Sequence, residues 1–365
     1  MLQLRGTLCA KSFIVALAAL AATASFAQSS VQIDGIMDAG FQAIDYKGNK
    51  VNGIGNNGSS TSQINFRGTE DLGGGLKADF RVETDWNTVS NSGNTGAKKA
   101  DGTVAAASTF GNGEIRVGLA GGFGRVDLGA VNYNTLGTFL TGQPFGTAIG
   151  SGFRATAIND AQATSAVRAD NAIKYVSPSF SGLTVSLYKS NKQTKGSAGT
   201  TDFSTTLGAY DQAGTQEAGV NYANGPLAVS FSNLKQDFNS VGTGTTESTI
   251  NTLGANYAIG AAKVFGLYQT NKNNTNTTDN KYYALSGTYA MGATTLMASF
   301  GELENKAGLK SKLSALGADY ALSKRTALYA RYESINDKAG VVAVTGFTAT
   351  NDKRTRTAIG VRHSF

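Results

Sequence analysis

The sequence predicts an all-β fold, a transmembrane antiparallel β-barrel of about sixteen strands with a long segment folded into its lumen. The first observation behind this is an alternation of apolar and polar side chains at every second position, recurring along most of the chain. That is the mark of strands with two unlike faces. The second is that connections alternate in kind, short with Gly or Pro, then long and polar, as at the two rims of an outer-membrane barrel. The third is composition. With 46 Gly, 3 Pro and 1 Trp in 365 residues and Leu, Ile and Val scattered singly, little is left for an ordinary large core. No apolar run approaches the roughly 20 residues a membrane helix needs. A soluble sandwich shares the alternation but is built in units of about 100 residues, and this chain has no linker, charge block or domain-scale repeat.

The N-terminus is set apart. Arg5 and Lys11 precede an apolar run from Phe13 to Ala22 and a small-x-small pattern at Ser25-Phe26-Ala27, so residues 1–27 read as a secretory signal peptide and 28–365 as one barrel domain. Its removal takes Lys+Arg from 32 to 30 against 25 Asp+Glu, lowers the net charge from +7 to +5, and discards Cys9, the sole cysteine. An exported chain without cysteine has no disulfides, so closed hydrogen bonding must stabilise it.

Strand-like segments follow at 30–43, 61–70, 76–86, 112–120, 125–132, 167–176, 183–191, 215–223, 227–235, 249–258, 263–271, 281–289, 294–304, 312–321, 326–336 and 353–365. Their number is even, as in bacterial barrels, so both termini fall on the short-turn rim. Short connections such as Asp71-Leu72-Gly73-Gly74-Gly75 and Asn224-Gly225-Pro226 carry tight-turn residues. The segment from Asn132 to Ala166 stands out because about 35 residues without sustained alternation interrupt a run of hairpins, and a loop that long is functional or misassigned. Inside a barrel such an insert can narrow the lumen. Tyr133, Phe139, Gln143, Phe145 and Phe153 are its candidate anchors to the wall.

Parity assigns the faces. Ile64, Phe66 and Gly68 oppose Gln63, Asn65 and Arg67, and Ala78, Phe80 and Val82 oppose Lys77, Asp79, Arg81 and Glu83. The polar set faces the lumen, because Arg or Lys at the lipid midplane costs about 2–4 kcal/mol. The same count turns Arg116, Arg125, Arg168, Lys174, Arg331 and Arg356 inward, and Ile359, Val361, His363 and Phe365 outward. A wall of fixed charges of one sign selects permeating ions, although Asp79, Glu83, Asp127 and Glu333 stand where they can offset it. The insert adds only Arg154 and Asp160.

Other chemistry finds few parts. The only histidine, His363, points outward beside the last residue; there is no Cys/His metal cluster, and no cofactor is implied. The Gly runs at 73–75 and 121–124 lack the strand-to-helix setting of a nucleotide fingerprint. The cations are interspersed with acids, which argues against nucleic acid.

Several stretches resemble the general diffusion porins of Gram-negative outer membranes, in particular their β-proteobacterial branch. They are Gly35-Ile36-Met37-Asp38-Ala39-Gly40, the run Phe66-Arg67-Gly68-Thr69-Glu70-Asp71-Leu72-Gly73-Gly74-Gly75-Leu76-Lys77-Ala78, Val117-Gly118-Leu119-Ala120-Gly121-Gly122-Phe123-Gly124, Arg168-Ala169-Asp170-Asn171-Ala172-Ile173-Lys174-Tyr175-Val176-Ser177-Pro178, and the closing Gly360-Val361-Arg362-His363-Ser364-Phe365. The resemblance implies a homotrimer of sixteen-stranded barrels in the outer membrane, termini periplasmic. Each barrel would carry its third loop inside and pass small hydrophilic solutes and ions by diffusion with weak anion preference. It implies a terminal Phe365 read by the assembly machinery, and contact with outer-membrane lipid and lipopolysaccharide. It favours the second, fourth and sixth strands as carriers of constriction arginines, hence Arg67, Arg116 and Arg168, with Arg81, Arg154 and Asp160 beside them and Arg125, Lys174, Arg331 and Arg356 as further lumenal charges. The chain departs from the family at Ser62-Gln63 and at Leu128-Gly129-Ala130, where an arginine is common, and so lacks two wall charges. A substrate-specific channel for sugars or organic anions and an adhesin-like surface barrel are the alternatives.

Overall fold

A computed structural model describes residues 29–46, 48–89, 110–152, 167–190, 214–240, 244–339 and 352–365. The strands are β1 (Ser30–Tyr46), β2 (Asn49–Asn56), β3 (Gln63–Gly73), β4 (Leu76–Asp85), β5 (Ile115–Gly121), β6 (Gly124–Asn132), β7 (Arg168–Val176), β8 (Leu183–Ser190) and β9 (Gly214–Asn224). The remainder are β10 (Leu227–Ser240), β11 (Gly244–Ile259), β12 (Ala262–Asn273), β13 (Asp279–Met291), β14 (Thr294–Glu304), β15 (Lys310–Ala321), β16 (Thr326–Asp337) and β17 (Asp352–Ser364). Among the described residues one helix, α1 (Asn134–Thr141), follows β6.

Neighbours pair antiparallel from β3 to β17 in chain order, and β17 returns to β1 with Gly40 opposite Gly360. The sheet therefore closes with no edge, the condition for placing backbone in lipid. Seventeen strands make sixteen staves. β2 covers the upper part of β1, Ala39–Tyr46, while β3 covers the lower part, Ser30–Ile36, on the same side. The strand expected at 30–43 runs on to Tyr46, and the chain returns as β2, a strand absent from the expected set. The apolar Val51 and Ile54 stand three apart and both faces of β2 are largely exposed, so this rim extension carries no period-2 signal.

Parity holds in the structure. Ile33, Phe80, Val117, Leu128, Leu187, Phe231, Leu285, Leu316 and Ile359 are exposed on the outer face, whereas Asn65, Glu83, Glu217, Ser232, Thr252 and Glu333 are buried on the inner one. A soluble sandwich would show the reverse. The rim of short turns, 74–75, 122–123, 225–226, 260–261 and 292–293, also holds both ends of the barrel chain.

Candidate functional site, the charged lumenal wall and its insert

Inward positions on β8–β13 break the polar rule: Tyr188, Leu234, Ile250, Leu267 and Tyr282 are buried there. What covers them is the insert. Tyr133 packs with Tyr188, Leu234 and Ile250, and Phe139 with Leu267, Tyr282, Ala284 and Leu303. Burial lifts the Tyr133 hydroxyl to about 12, so it stays a neutral partner for Thr215 and Gln236. Helix α1 has no capping side chain of its own. Glu217 of β9 supplies one, accepting from the backbone N–H of Asn134 (2.5 Å) and of Thr135 (2.7 Å) and from the Thr135 hydroxyl (2.7 Å). A carboxylate at that end satisfies orphan donors and meets the positive end of the helix dipole. Thr138 then bonds Ser230, and Thr135 bonds Ser232. The helix lies so close to β11 that a Cβ at Gly254 would stand 2.1 Å from the Thr138 carbonyl oxygen; only glycine admits it.

Beyond α1 the insert crosses to the opposite staves. Gln143 braces the turn through Gly146 O and Phe145 N. Phe145 packs on Met297 and Ala315, and Ile149 on Tyr329 and Ala358. Gly150 N–H donates to Glu333 of β16 at 2.9 Å. There it meets a feature with no counterpart in the sequence reading, the segment 57–62 between β2 and β3. Buried Asp38 gathers this segment by accepting from the N–H groups of Gly58, Ser59 and Ser60 and from the Tyr329 hydroxyl. Thr61 lies 3.0 Å from Thr147 of the insert. Of the expected anchors, Tyr133, Phe139, Gln143 and Phe145 are buried among these contacts. Phe153, Arg154 and Asp160 lie outside the described residues.

The arginines on β3–β5 form a row. Arg67 is the cross-strand partner of Arg81, and Arg81 of Arg116. Like charges directly opposite repel, and acids one row above and below compensate. Arg67 pairs with Asp34 at 2.9 Å, and Arg81 with Glu83 and, at 2.7 Å, Glu114. Arg116 pairs with Asp79 at 2.5 Å and Asp127 at 3.0 Å, and Arg125 holds the same two carboxylates at 2.7 and 2.6 Å. Four guanidiniums thus face five carboxylates. The wall expected to be basic is neutralised pair by pair here, by the acids named from the sequence together with Asp34 and Glu114.

The β16–β17 side differs. Arg354 and Arg356 share one carboxylate, Glu333, at 3.2 and 2.8 Å, while Arg362 has the Ser60 hydroxyl as its hydrogen-bond partner. Arg331 is buried against Asp319 (2.8 Å) and Ser59, with Phe145 and Tyr329 rings about it. Arg168 stands beside an irregularity, 4.0 Å from Asp85. A register shift sets Val131 opposite Ala169 and Gly129 opposite Ala172, with Asn171 at φ 52. This bulge breaks the parity count, and Arg168 bonds Asn132 and the Asn112 carbonyl. Lys174, on the far side of the bulge, remains inward with its ammonium on the Asn132 carbonyl at 2.8 Å. Phe365 exchanges backbone hydrogen bonds with Gly35 at the closing seam.

A closed barrel with lipid-compatible side chains outside, charged and polar ones inside and an insert on its lumenal wall is a membrane channel. The comparisons give the particular kind. The family model of the Gram-negative porins matches residues 15–340. Outer membrane porin protein 32 of Delftia acidovorans is 33% identical over 379 aligned residues, covering 97% of this chain and 100% of the relative. The solved anion-selective porin from Comamonas acidovorans superposes with a TM-score of 0.74 at 30% identity, covering 93% of this chain and 100% of that one. The trimer form of OmpT from Vibrio cholerae, at 16% identity and TM-score 0.63, shares the fold over 92% of this chain and 99% of its own. The chain belongs to the Gram-negative porin family. It is an outer-membrane channel for passive diffusion.

Proposed function

We propose that the chain assembles as a homotrimer and that each barrel passes small hydrophilic solutes and ions with a weak preference for anions. The observation that carries the preference is that two guanidiniums, Arg354 and Arg356, share the Glu333 carboxylate that also receives the insert. Arg67, Arg81 and Arg116 act in this reading as a balanced ladder lining the passage opposite, which keeps the preference weak. Arg125 and Lys174 belong to that balanced side. The anion-selective Comamonas porin, 30% identical, supports the sign. Residues 1–27 serve export, Phe365 serves barrel closure and handling by the assembly machinery, and the exposed apolar belt meets membrane lipid, with lipopolysaccharide in the outer leaflet. The termini face the periplasm. Reversal potentials in planar bilayers under a KCl gradient test the reading: a chloride-to-potassium permeability ratio modestly above one is expected, and a ratio at or below one refutes it.

A further inference from the structure

We propose that the lipid-facing wall of β12–β16 holds one phosphorylated glycolipid of the outer leaflet, its acyl chain in an apolar dent at Gly287 and Ala298 and its headgroup on Lys310 and Lys312. The inference rests on the lipid contact proposed above and narrows it from a belt to a site.

The dent follows from register. Val264, Gly287, Ala298, Leu316 and Tyr332 are successive cross-strand neighbours in one lateral row of the outer face. Two small residues in the middle of that row leave a hollow of 580 Å³ walled by Leu285, Phe300 and Leu316. A Cβ added to Gly287 would meet nothing nearer than the Lys263 carbonyl at 3.7 Å, so the space is open to a ligand. Leu285 and Leu316 are 68% and 60% exposed, more than most of the belt. An apolar hollow left empty forfeits dispersion contacts on its lining, and a methylene chain restores them.

The same strands carry the headgroup contacts. Leu316 to Lys312 is four residues toward the long-loop rim, about 13 Å along a strand and within reach of one saturated acyl chain. Lys312 shares the outward face of Leu316. It approaches Glu302 at 3.7 Å, and Lys310 reaches Glu302 at 2.9 Å and Glu304 at 3.4 Å. Lys281 stands opposite Glu304 in register. Three ammoniums against two carboxylates leave a positive excess, and both Lys310 and Lys312 keep about half of their surface exposed. This rim faces away from the periplasm, and a net anionic headgroup fits it better than a zwitterionic one. The occupant is therefore a phosphorylated glycolipid of the outward leaflet rather than a phospholipid.

The test is native mass spectrometry of the intact detergent-extracted protein, offered diphosphorylated lipid A, phosphatidylglycerol or phosphatidylethanolamine in mixed micelles. Lipid A should be retained by the natural protein. Ala298→Phe, which fills the dent, and separately Lys310→Ala with Lys312→Ala, should each lower retention about tenfold, the worth of two buried methylenes or a lost pair of phosphate contacts. Heat-modifiable mobility and an unchanged permeability ratio show that these outward variants still fold. Equal retention in all three proteins overturns the site and leaves the general lipid contact standing. No retained lipid in the natural protein overturns both. Preference for a phospholipid overturns the assigned headgroup, and disulfide-linked pairs from Gly287→Cys under oxidant would give the dent to a second copy of the chain.

Discussion

Replacing Arg356 by Gln isolates the charge held responsible for the anion preference. Its guanidinium makes two contacts to Glu333, at 2.8 and 2.9 Å, and its side chain is 25% exposed to the lumen. Arg354 remains on Glu333 after the substitution and has Asp337 near it as well, so the group loses one positive charge and no carboxylate is abandoned. An ion passing roughly 8 Å from a unit charge in water feels about 0.5 kcal/mol, cut to about 0.2 kcal/mol by screening at physiological salt. Anion and cation respond with opposite sign, so their difference changes by about 0.4–1 kcal/mol and the chloride-to-potassium ratio should fall about two- to fivefold. Reversal potentials at low and high KCl measure it, and the effect should fade as the Debye length shrinks from about 10 Å at 0.1 M to about 3 Å at 1 M. An unchanged ratio at low salt, or a change indifferent to salt, would refute the placement of the unbalanced charge on β16–β17.

Three further outcomes are expected. Arg116→Ser removes the cation between Asp79 and Asp127 and should lower the yield of heat-modifiable barrel well below that of Arg356→Gln, because breaking a buried pair leaves uncompensated charge; quantitative gel analysis of outer-membrane fractions decides it. Glu217→Ala strands three donors at the start of α1 and should cost about 3 kcal/mol, read as a lower thermal transition and noisier single-channel current. Deletion of Phe365 removes its exchange with Gly35 and should reduce assembled protein in the outer membrane; normal amounts would contradict its role in closure.

Much of the barrel was legible because period-2 alternation with a charge penalty in lipid leaves little freedom of register. Strand existence, the facing of Arg81 and Arg116 and the two unlike rims all follow from that single constraint. Where the constraint lapses, so did the reading. β2 is an exposed rim extension, and its Val51 and Ile54 need not alternate. The partners of Arg168 could not be foreseen because the bulge near Gly129 and Asn171 depends on backbone angles that parity cannot see. The acids named in advance were judged as a bulk offset, whereas the pairing of Arg116 with Asp79 and Asp127 is a diagonal relation between strands, visible only once register is known. One available signal was passed over: Leu234, Ile250 and Leu267 sit at inward positions of a wet barrel, and only a covering segment makes that tolerable.

Two of the buried carboxylates that hold the described part of the insert, Glu217 and Glu333, differ in what else they do. Glu217 caps α1 through the backbone and hydroxyl donors of Asn134 and Thr135 and has the Lys174 ammonium as a charged neighbour on the wall. Glu333 accepts the Gly150 N–H and also holds Arg354 and Arg356. Its charge therefore enters both the lumenal field and the position of the insert. The ladder on β3–β6 meets the described part of the insert at its first residue, where Glu114, the partner of Arg81, accepts the Asn132 N–H, while Asp79 and Asp127 hold wall arginines. Selectivity and the position of the insert are thus joined most directly at Glu333. A substitution at Glu333 changes both together, whereas Arg356→Gln leaves the carboxylate that receives Gly150 in place and alters the field alone.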